Sequence, residues 1–405
     1  MGGHRKNWRT HIRRCLIRQP VVAAARKDRV TTDFPGIDAG NLLLNPTERS
    51  HMSKTRQIVV GILTFASIVG AQEPARHWAI ELHGGAGDIQ RATMDAKTDA
   101  ACRAVLTQAI QAGAAVLSKG GSSLDAVESA IRILEDSTLF DAGRGAVFNA
   151  EGKNEFDAAI MDGSNQQAGA VAAVTRTRHP ISLARAVMEK SPHVMLVGEG
   201  ADTFAAEVGL EQVDPVFFFN ESQWQALVRQ LKREGRPVPP RPVGAPPPPS
   251  PAPGTVSAVG SPEAHRFGTV GVVALDLHGN LAAGTSTGGS QAKHPGRVGD
   301  SPIIGAGTYA SNSSCAVSAT GVGEYFIRLG VAREVCNLVR FKGLSLQQAA
   351  DQVIGTELVA LHGEGGVIAL TSNGELAWTF NTHGMFRARL VEGDKLIVAI
   401  YPDEP

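Results

Sequence analysis

A proline-rich stretch ends abruptly at Gly268-Thr269-Val270-Gly271, and an apolar run begins there. In an intact chain, a threonine that opens a buried strand is unremarkable. If the Gly268–Thr269 bond is cut, Thr269 gains an α-amine with a reference pKa of about 7.7–8.0. That amine can take the proton of its own hydroxyl near neutral pH, which makes the residue a nucleophile with a built-in base. One pattern competes for the role. Gly284-Thr285-Ser286-Thr287-Gly288 matches the G-x-S-x-G elbow of serine hydrolases, which needs a strand before the serine and a helix after it. Gly289, Pro295 and Gly296 follow at once and argue against the helix. No phosphate-loop, dinucleotide-binding or H-E-x-x-H pattern is present.

The elements that would position these residues follow from periodicity. Trp78, Ile80 and Leu82 alternate as in a strand and run into His83-Gly84-Gly85-Ala86-Gly87, which reads as a tight turn. An alanine-rich helix is expected from Asp95 to Ser118. A second opens at Ser122, with Asp125 three residues on and a stripe of Leu124, Val127, Ile131 and Leu134. A glycine-rich loop at 140–148 leads to a strand from Glu155 to Met161. His179-Pro180 introduces a helix from Leu183 to Glu189, and Val194 to Val197 reads as a short buried strand. Another helix spans Gln223 to Glu234. Residues 237–266 are too rich in proline for sheet or helix and are expected to be a disordered linker. Beyond it, strands are expected at Val270–Leu275 and Leu281–Thr285 around a turn at His278-Gly279-Asn280. Helices follow at Glu324–Val339 and Leu344–Ile354, then a hairpin around Asn373-Gly374 and a last strand from Lys395 to Tyr401. Strands flanked by helices predict a layered α/β architecture.

Lysine plus arginine equals aspartate plus glutamate, 39 each, so charge supplies no reason to expect nucleic acid or an anionic membrane as partner. None of Cys15, Cys102, Cys315 and Cys336 has zinc or C-x-x-C spacing, and a chain of 405 residues has little need of a disulfide framework. Cys102, Cys315 and Cys336 are therefore expected as small buried apolar residues. Residues 52–71 carry Lys54 and Arg56, an apolar run from Ile58 to Val69 and small residues at a cleavage position. This is the layout of a secretory signal peptide, too short for a comfortable membrane span; a buried helix and an uncleaved membrane anchor are the other readings. The pattern implies a start at Met52, residues 1–51 as an upstream extension and an exported product, periplasmic or secreted.

Four separated stretches carry a resemblance. They are LHGGAG at Leu82–Gly87, LFDAGRGAVF at Leu139–Phe148, the run from Gly268 through T-S-T-G-G and G-R-V-G-D to Ala310, and ATGVGEYFIR at Ala319–Arg328. In this order they closely resemble the isoaspartyl peptidase/L-asparaginase family of N-terminal-nucleophile hydrolases, from Ile80 to Arg387 apart from the linker. The resemblance implies an αββα sandwich that cuts itself before Thr269, giving an α subunit of residues 72–268 and a β subunit of residues 269–405, with two such αβ units paired. It implies hydrolysis of L-asparagine and β-aspartyl dipeptides with release of L-aspartate, and no organic cofactor. Thr269 would be the nucleophile and Thr287 its hydroxyl partner. Arg297 and Asp300 would clamp the substrate's α-carboxylate and α-ammonium, with Gly323 helping to seat the ammonium. Thr320 and Gly321 would form the oxyanion hole. A structural sodium loop, built mainly of backbone carbonyls, would fall on Leu134, Glu135, Ser137, Phe140, Ala142 and Arg144; hard oxygen ligands suit such an ion.

One departure stands near the nucleophile: Asp141 occupies a place where the family usually has asparagine. Two alternatives remain at this level. A glycosylasparaginase-like enzyme usually carries aspartate before the nucleophile and asparagine within the T-S-T motif, against which Gly268 and Gly288 argue. A pseudoenzyme would keep the fold and bind amino acids without turnover, and Asp141 is its best support.

Overall fold

The alternation at Trp78–Leu82 produces strand β1 (Ala79–Gly87), buried along its whole length. The computed structural model describes residues 77–248 and 268–405. The expected glycine turn after Leu82 is instead a continuation of β1. The strand absorbs the glycines through an irregularity between His83 and Gly85, where Gly85 takes a φ of 110°. Helix α1 (Ala96–Leu117) starts where the Asp95 side chain accepts the Thr98 N–H, and α2 (Ser123–Asp136) where Ser122 accepts that of Asp125. Such caps satisfy amides that have no partner inside the helix. Val127, Ile131 and Leu134 bury as expected, while Leu124 is only partly covered.

Strand β2 (Phe156–Asp162) and helix α3 (Pro180–Lys190) match their signals, and α5 (Glu221–Arg233) is capped by Asn220. Between them come β3 (Ala168–Val174), β4 (Met195–Val197) and α4 (Gly198–Glu207). β4 corrects an expectation. It is the last strand of its sheet, so it is not buried: Val194 and Val197 are 55% and 58% exposed.

In the second half, β5 (Val270–Leu275), β6 (Leu281–Thr287), β9 (Gly365–Thr371) and β10 (Leu376–Phe380) appear as expected. β12 (Ile397–Ala399) is a shorter form of the last strand. The periodicity does not announce β7 (Thr308–Ala310), β8 (Cys315–Gly321) or β11 (Gly384–Val391). The helix expected over 324–339 is broken. α6 (Gly323–Leu329) stops at Gly330, which is left-handed with φ 63°, and α7 (Val331–Asn337) starts after it. α8 (Leu346–Asp351) opens on a capping box between Ser345 and Gln348.

One sheet has the order β12-β11-β1-β5-β6-β2-β3-β4 and the other β10-β9-β8-β7; every pairing is antiparallel except β3 with β4. α1, α2 and α3 cover the outer face of the large sheet, α7 and α8 that of the small one, and the sheets pack on each other. This is the expected α/β class, as an αββα sandwich. Strand parity assigns each side chain to a layer. On β5, Val270, Val272 and Ala274 join the helix-side core, whereas Val273 and Leu275 join the layer between the sheets. Thr269 falls on the between-sheet side.

Of the proline-rich segment, residues 237–248 are described and form neither helix nor strand. They do not hang free as a disordered linker would, because Arg241 pairs with Glu221 of α5 and stacks on Phe219. Residues 249–266 lie outside the described residues, as do residues 1–51, the signal segment 52–71 and Cys15.

The cysteine expectation is corrected in one respect. Cys102, Cys315 and Cys336 are all buried, but Cys315 of β8 and Cys336 of α7 are joined in a disulfide. Their separation of 21 residues gave no pairing signal; the packing of α7 on β8 brings their Cα atoms to 5.3 Å. Closing a loop of that length is worth about 3 kcal/mol in chain entropy. Replacing both cysteines with alanine is expected to lower the unfolding free energy in urea by about that amount.

Candidate active site

β5 and β6 pair with Val270 opposite Ser286, so Thr269 and Thr287 stand side by side at the end of the ladder. The Thr269 hydroxyl donates to Thr287 Oγ1 at 2.9 Å, and the Gly289 N–H donates to the same Thr287 oxygen at 2.9 Å. In the uncut chain Thr269 is only 9% exposed. Ser286 lies on the opposite face of β6. Its hydroxyl donates to Glu135 Oε1 at 2.6 Å in the helix-side layer, which removes the serine-elbow reading.

The carbonyl of Gly268 accepts a hydrogen bond from the Asp141 N–H at 2.9 Å, and the Gly288 N–H donates back to the Asp141 carbonyl at 3.0 Å. The chain before Thr269 is therefore held by the 140–148 loop. The Asp141 side chain packs beside Gly268, where a Cβ would stand 2.7 Å from that of Asp141. Its Oδ1 accepts from the Val147 N–H at 2.9 Å, while Oδ2 has no partner. Burial pushes this carboxyl up to about 7, against the pull of the Val147 N–H and the charge of Lys293.

Arg297, Asp300 and Gly323 converge from two segments. A Cβ on Gly323 would lie 3.0 Å from both Arg297 Nη2 and Asp300 Oδ1, so glycine leaves a cradle open between the two charges. Asp300 is buried with Oδ2 unpartnered, and burial pushes its carboxyl up to about 7 despite the neighbouring Arg297. Such a group binds its proton more tightly in the folded state than unfolded. Its contribution to stability is full below the usual 3.8 and is lost as pH rises toward 7. Thr320, the last residue but one of β8, lies in the between-sheet layer, and its hydroxyl accepts from the Ala86 N–H at 3.4 Å. Gly321 follows, pressed so closely against the Glu364 carbonyl that no side chain fits.

Several residues at the site carried no sequence signal. Glu324 grips Arg297 at two points, Nε at 3.0 Å and Nη2 at 2.9 Å. Lys293 is buried, donates to the Glu155 carbonyl at 2.9 Å and, with Arg297, offsets Asp141 and Asp157. Asp157 is fully buried, and its carboxyl is raised by that burial. Glu324 directly follows Gly323, and Lys293 precedes Arg297 by four residues; only that proximity could have pointed to them.

Around the 143–145 turn, a Cβ on Gly143 would collide with the Glu135 carbonyl and one on Gly145 with that of Phe140, with the Ser137 carbonyl 3.1 Å away. Three of the six expected ion-binding positions therefore aim carbonyls at one turn. The Leu134 carbonyl accepts from Ser137 N–H and that of Ala142 from Gly145 N–H. The Arg144 guanidinium turns away to Phe217. Among the described residues, no cluster of histidine, cysteine, aspartate or glutamate could hold a metal ion.

The chain is similar in sequence to known proteins. The chain is 45% identical over 327 residues to the isoaspartyl peptidase of Escherichia coli, covering 80% of this chain and 96% of that protein. It is 41% identical to a probable isoaspartyl peptidase/L-asparaginase of Arabidopsis thaliana, covering 80% of this chain and 99% of the relative. It is 42% identical to a plant-type L-asparaginase of Pyrococcus abyssi, over 78% and 97% of the two chains. The sequence model of the asparaginase family matches residues 76–400, and the chain belongs to that family.

Proposed function

We propose that the chain cuts itself between Gly268 and Thr269 and then, through Thr269, hydrolyses β-aspartyl dipeptides and the side-chain amide of L-asparagine, releasing L-aspartate. The observation that carries this reading is the nucleophile's setting. The Thr269 hydroxyl is bonded to Thr287, while the Asp141 N–H already holds the carbonyl that would be attacked. In self-cleavage Thr269 Oγ1 adds to the Gly268 carbonyl carbon, and the oxyanion sits on the Asp141 N–H. Collapse breaks the C–N bond and transfers the acyl group to oxygen. Water then hydrolyses the ester, leaving Gly268 as a carboxylate and Thr269 with a free amine.

In turnover that amine takes the hydroxyl proton as Oγ1 attacks the substrate's β-carbonyl. Thr320 Oγ1 and the Gly321 N–H carry the developing charge, and such donors contribute a few kcal/mol each. Arg297 reads the α-carboxylate as a fork, with Asp300 and Gly323 at the ammonium. Ammonia or the second amino acid leaves with the transferred proton, and water releases aspartate. The cradle at Gly323 supports this clamp.

A sodium ion on the carbonyls of Leu134, Glu135, Ser137, Phe140, Ala142 and Arg144 belongs to the same proposal, supported by the convergence of three of them. It would supply only charge to hold the loop that carries Asp141. Pairing of two αβ units and export are also proposals; the latter rests on the pattern of residues 52–71 alone.

Denaturing electrophoresis with intact mass analysis tests the reading. Wild type is expected to give two fragments, one beginning at Thr269, and Thr269→Ala a single chain; an uncut wild type after long incubation would refute the proposal. Asp300 must be charged to meet an ammonium, so KM for L-asparagine is expected to rise by up to ~10-fold per unit as pH falls below about 7. Asp300→Asn is expected to show a high KM without that limb. Glu324→Ala frees the Arg297 fork from its support and is expected to raise KM about tenfold, roughly 1.4 kcal/mol, with kcat little changed.

A further inference from the structure

His83 is fully buried between the sheets and is engaged at both ring nitrogens. Nδ1 lies 3.0 Å from the Thr269 carbonyl oxygen and Nε2 2.9 Å from Ser318 Oγ. A carbonyl only accepts, so the proton of the neutral ring sits on Nδ1. Nε2 must then accept, and Ser318 spends its single proton on it. Ser318 Oγ is also 2.7 Å from Thr285 Oγ1, which leaves Thr285 as the donor in that pair. Thr308 Oγ1 in turn donates to Thr285 Oγ1 at 2.6 Å. The protons therefore all run one way, from Thr308 through Thr285, Ser318 and His83 to the carbonyl of Thr269. The chain draws on β7, β6, β8 and β1 and ends at the residue before β5, and burial keeps its imidazole neutral down to about 3. Gly271 keeps the passage clear, because a Cβ there would collide with both Ser318 Oγ and His83 Nε2.

Besides its hydroxyl bond to Thr287, Thr269 has two backbone tethers in the uncut chain. One is the peptide to Gly268, whose carbonyl is held by Asp141; the other is its own carbonyl, held by His83. Cleavage removes the first. The register of β1 with β5 ends at His83 opposite Gly271, so the imidazole takes up the Thr269 carbonyl beyond the end of the ladder. We propose that His83 is a positioning residue of the reaction: its Nδ1–H fixes the carbonyl of the new N-terminal residue, and through it the direction of the amine and hydroxyl, while Ser318 holds the required tautomer. The inference rests on Thr269 being the nucleophile.

The test compares His83→Asn, His83→Gln and His83→Leu in the full protein. Rates are counted per Thr269-terminal subunit found by mass, and thermal midpoints are measured alongside. The asparagine amide can donate from the place of Nδ1; the glutamine amide reaches toward Ser318, and leucine donates nothing. Misplacing a nucleophile by an ångström can cost about 100-fold. His83→Leu and His83→Gln are expected to lose 10- to 100-fold in kcat at nearly unchanged KM, with His83→Asn within about threefold of wild type even if its midpoint falls. Equal kcat in all three variants, lowered or not, would overturn the proposal, as would rescue by glutamine rather than asparagine. If His83→Leu fails to fold, the Asn-against-Gln comparison decides alone. Nitrogen-15 NMR of histidine-labelled wild type is expected to show one ring protonated at Nδ1, bare at Nε2 and unchanged between pH 5 and 9; its absence would also count against the proposal. An uncut or inactive wild type would instead refute the nucleophile reading.

Discussion

The active-site geometry depends on the register of β5 between β1 and β6. Because side chains alternate along a strand, a slip of β5 by one residue would send Thr269 into the helix-side core, away from Thr287, and bring a valine to the site. That slip is resisted from both faces. Val270, Val272 and Ala274 fill the layer under α2, and Val273 and Leu275 fill the layer against the small sheet. Thr269 is thus aimed by the apolar packing of its neighbours, and the hydroxyl pair at 2.9 Å follows from that packing.

The second constraint is electrostatic. Asp141, Asp157 and Asp300 are buried near Lys293 and Arg297, and each carboxylate leaves one oxygen without a partner. Ionised groups are costly to desolvate unless paired. Burial accordingly dominates all three, and the two cations only moderate it. The two charged side chains beside Gly323 are held differently. Here Asp300 has a bare oxygen, and Arg297 is steadied from behind by Glu324. Asp141 belongs to the same balance: a carboxyl raised to about 7 beside Gly268 can be neutral, and so differs less from asparagine than a charged side chain would.

The broken helix over residues 323–337 has a positional consequence. Gly330 in the left-handed region lets α6 stop short and α7 turn to pack on β8. The short α6 then starts at Gly323, beside Arg297 and Asp300. The Cys315–Cys336 disulfide ties α7 to the strand that ends in Thr320 and Gly321.

Most of the site was legible in the sequence because its residues sit in short motifs: Gly268-Thr269, T-S-T-G-G, G-R-V-G-D and A-T-G-V-G each put their chemistry within a few positions. The long helices were legible through their caps and periodicity. The short strands β3 and β8 were not, since AGAVAAV and CAVSATG are small-residue runs that become strands only once neighbours cover both faces. Tertiary structure alone decided the disulfide, the role of Glu324 and the engagement of His83 with residues 186 and 235 positions away. Local propensity and motif chemistry act over a few residues, whereas hydrogen bonds and burial depend on distances in space that only the packed sheets establish.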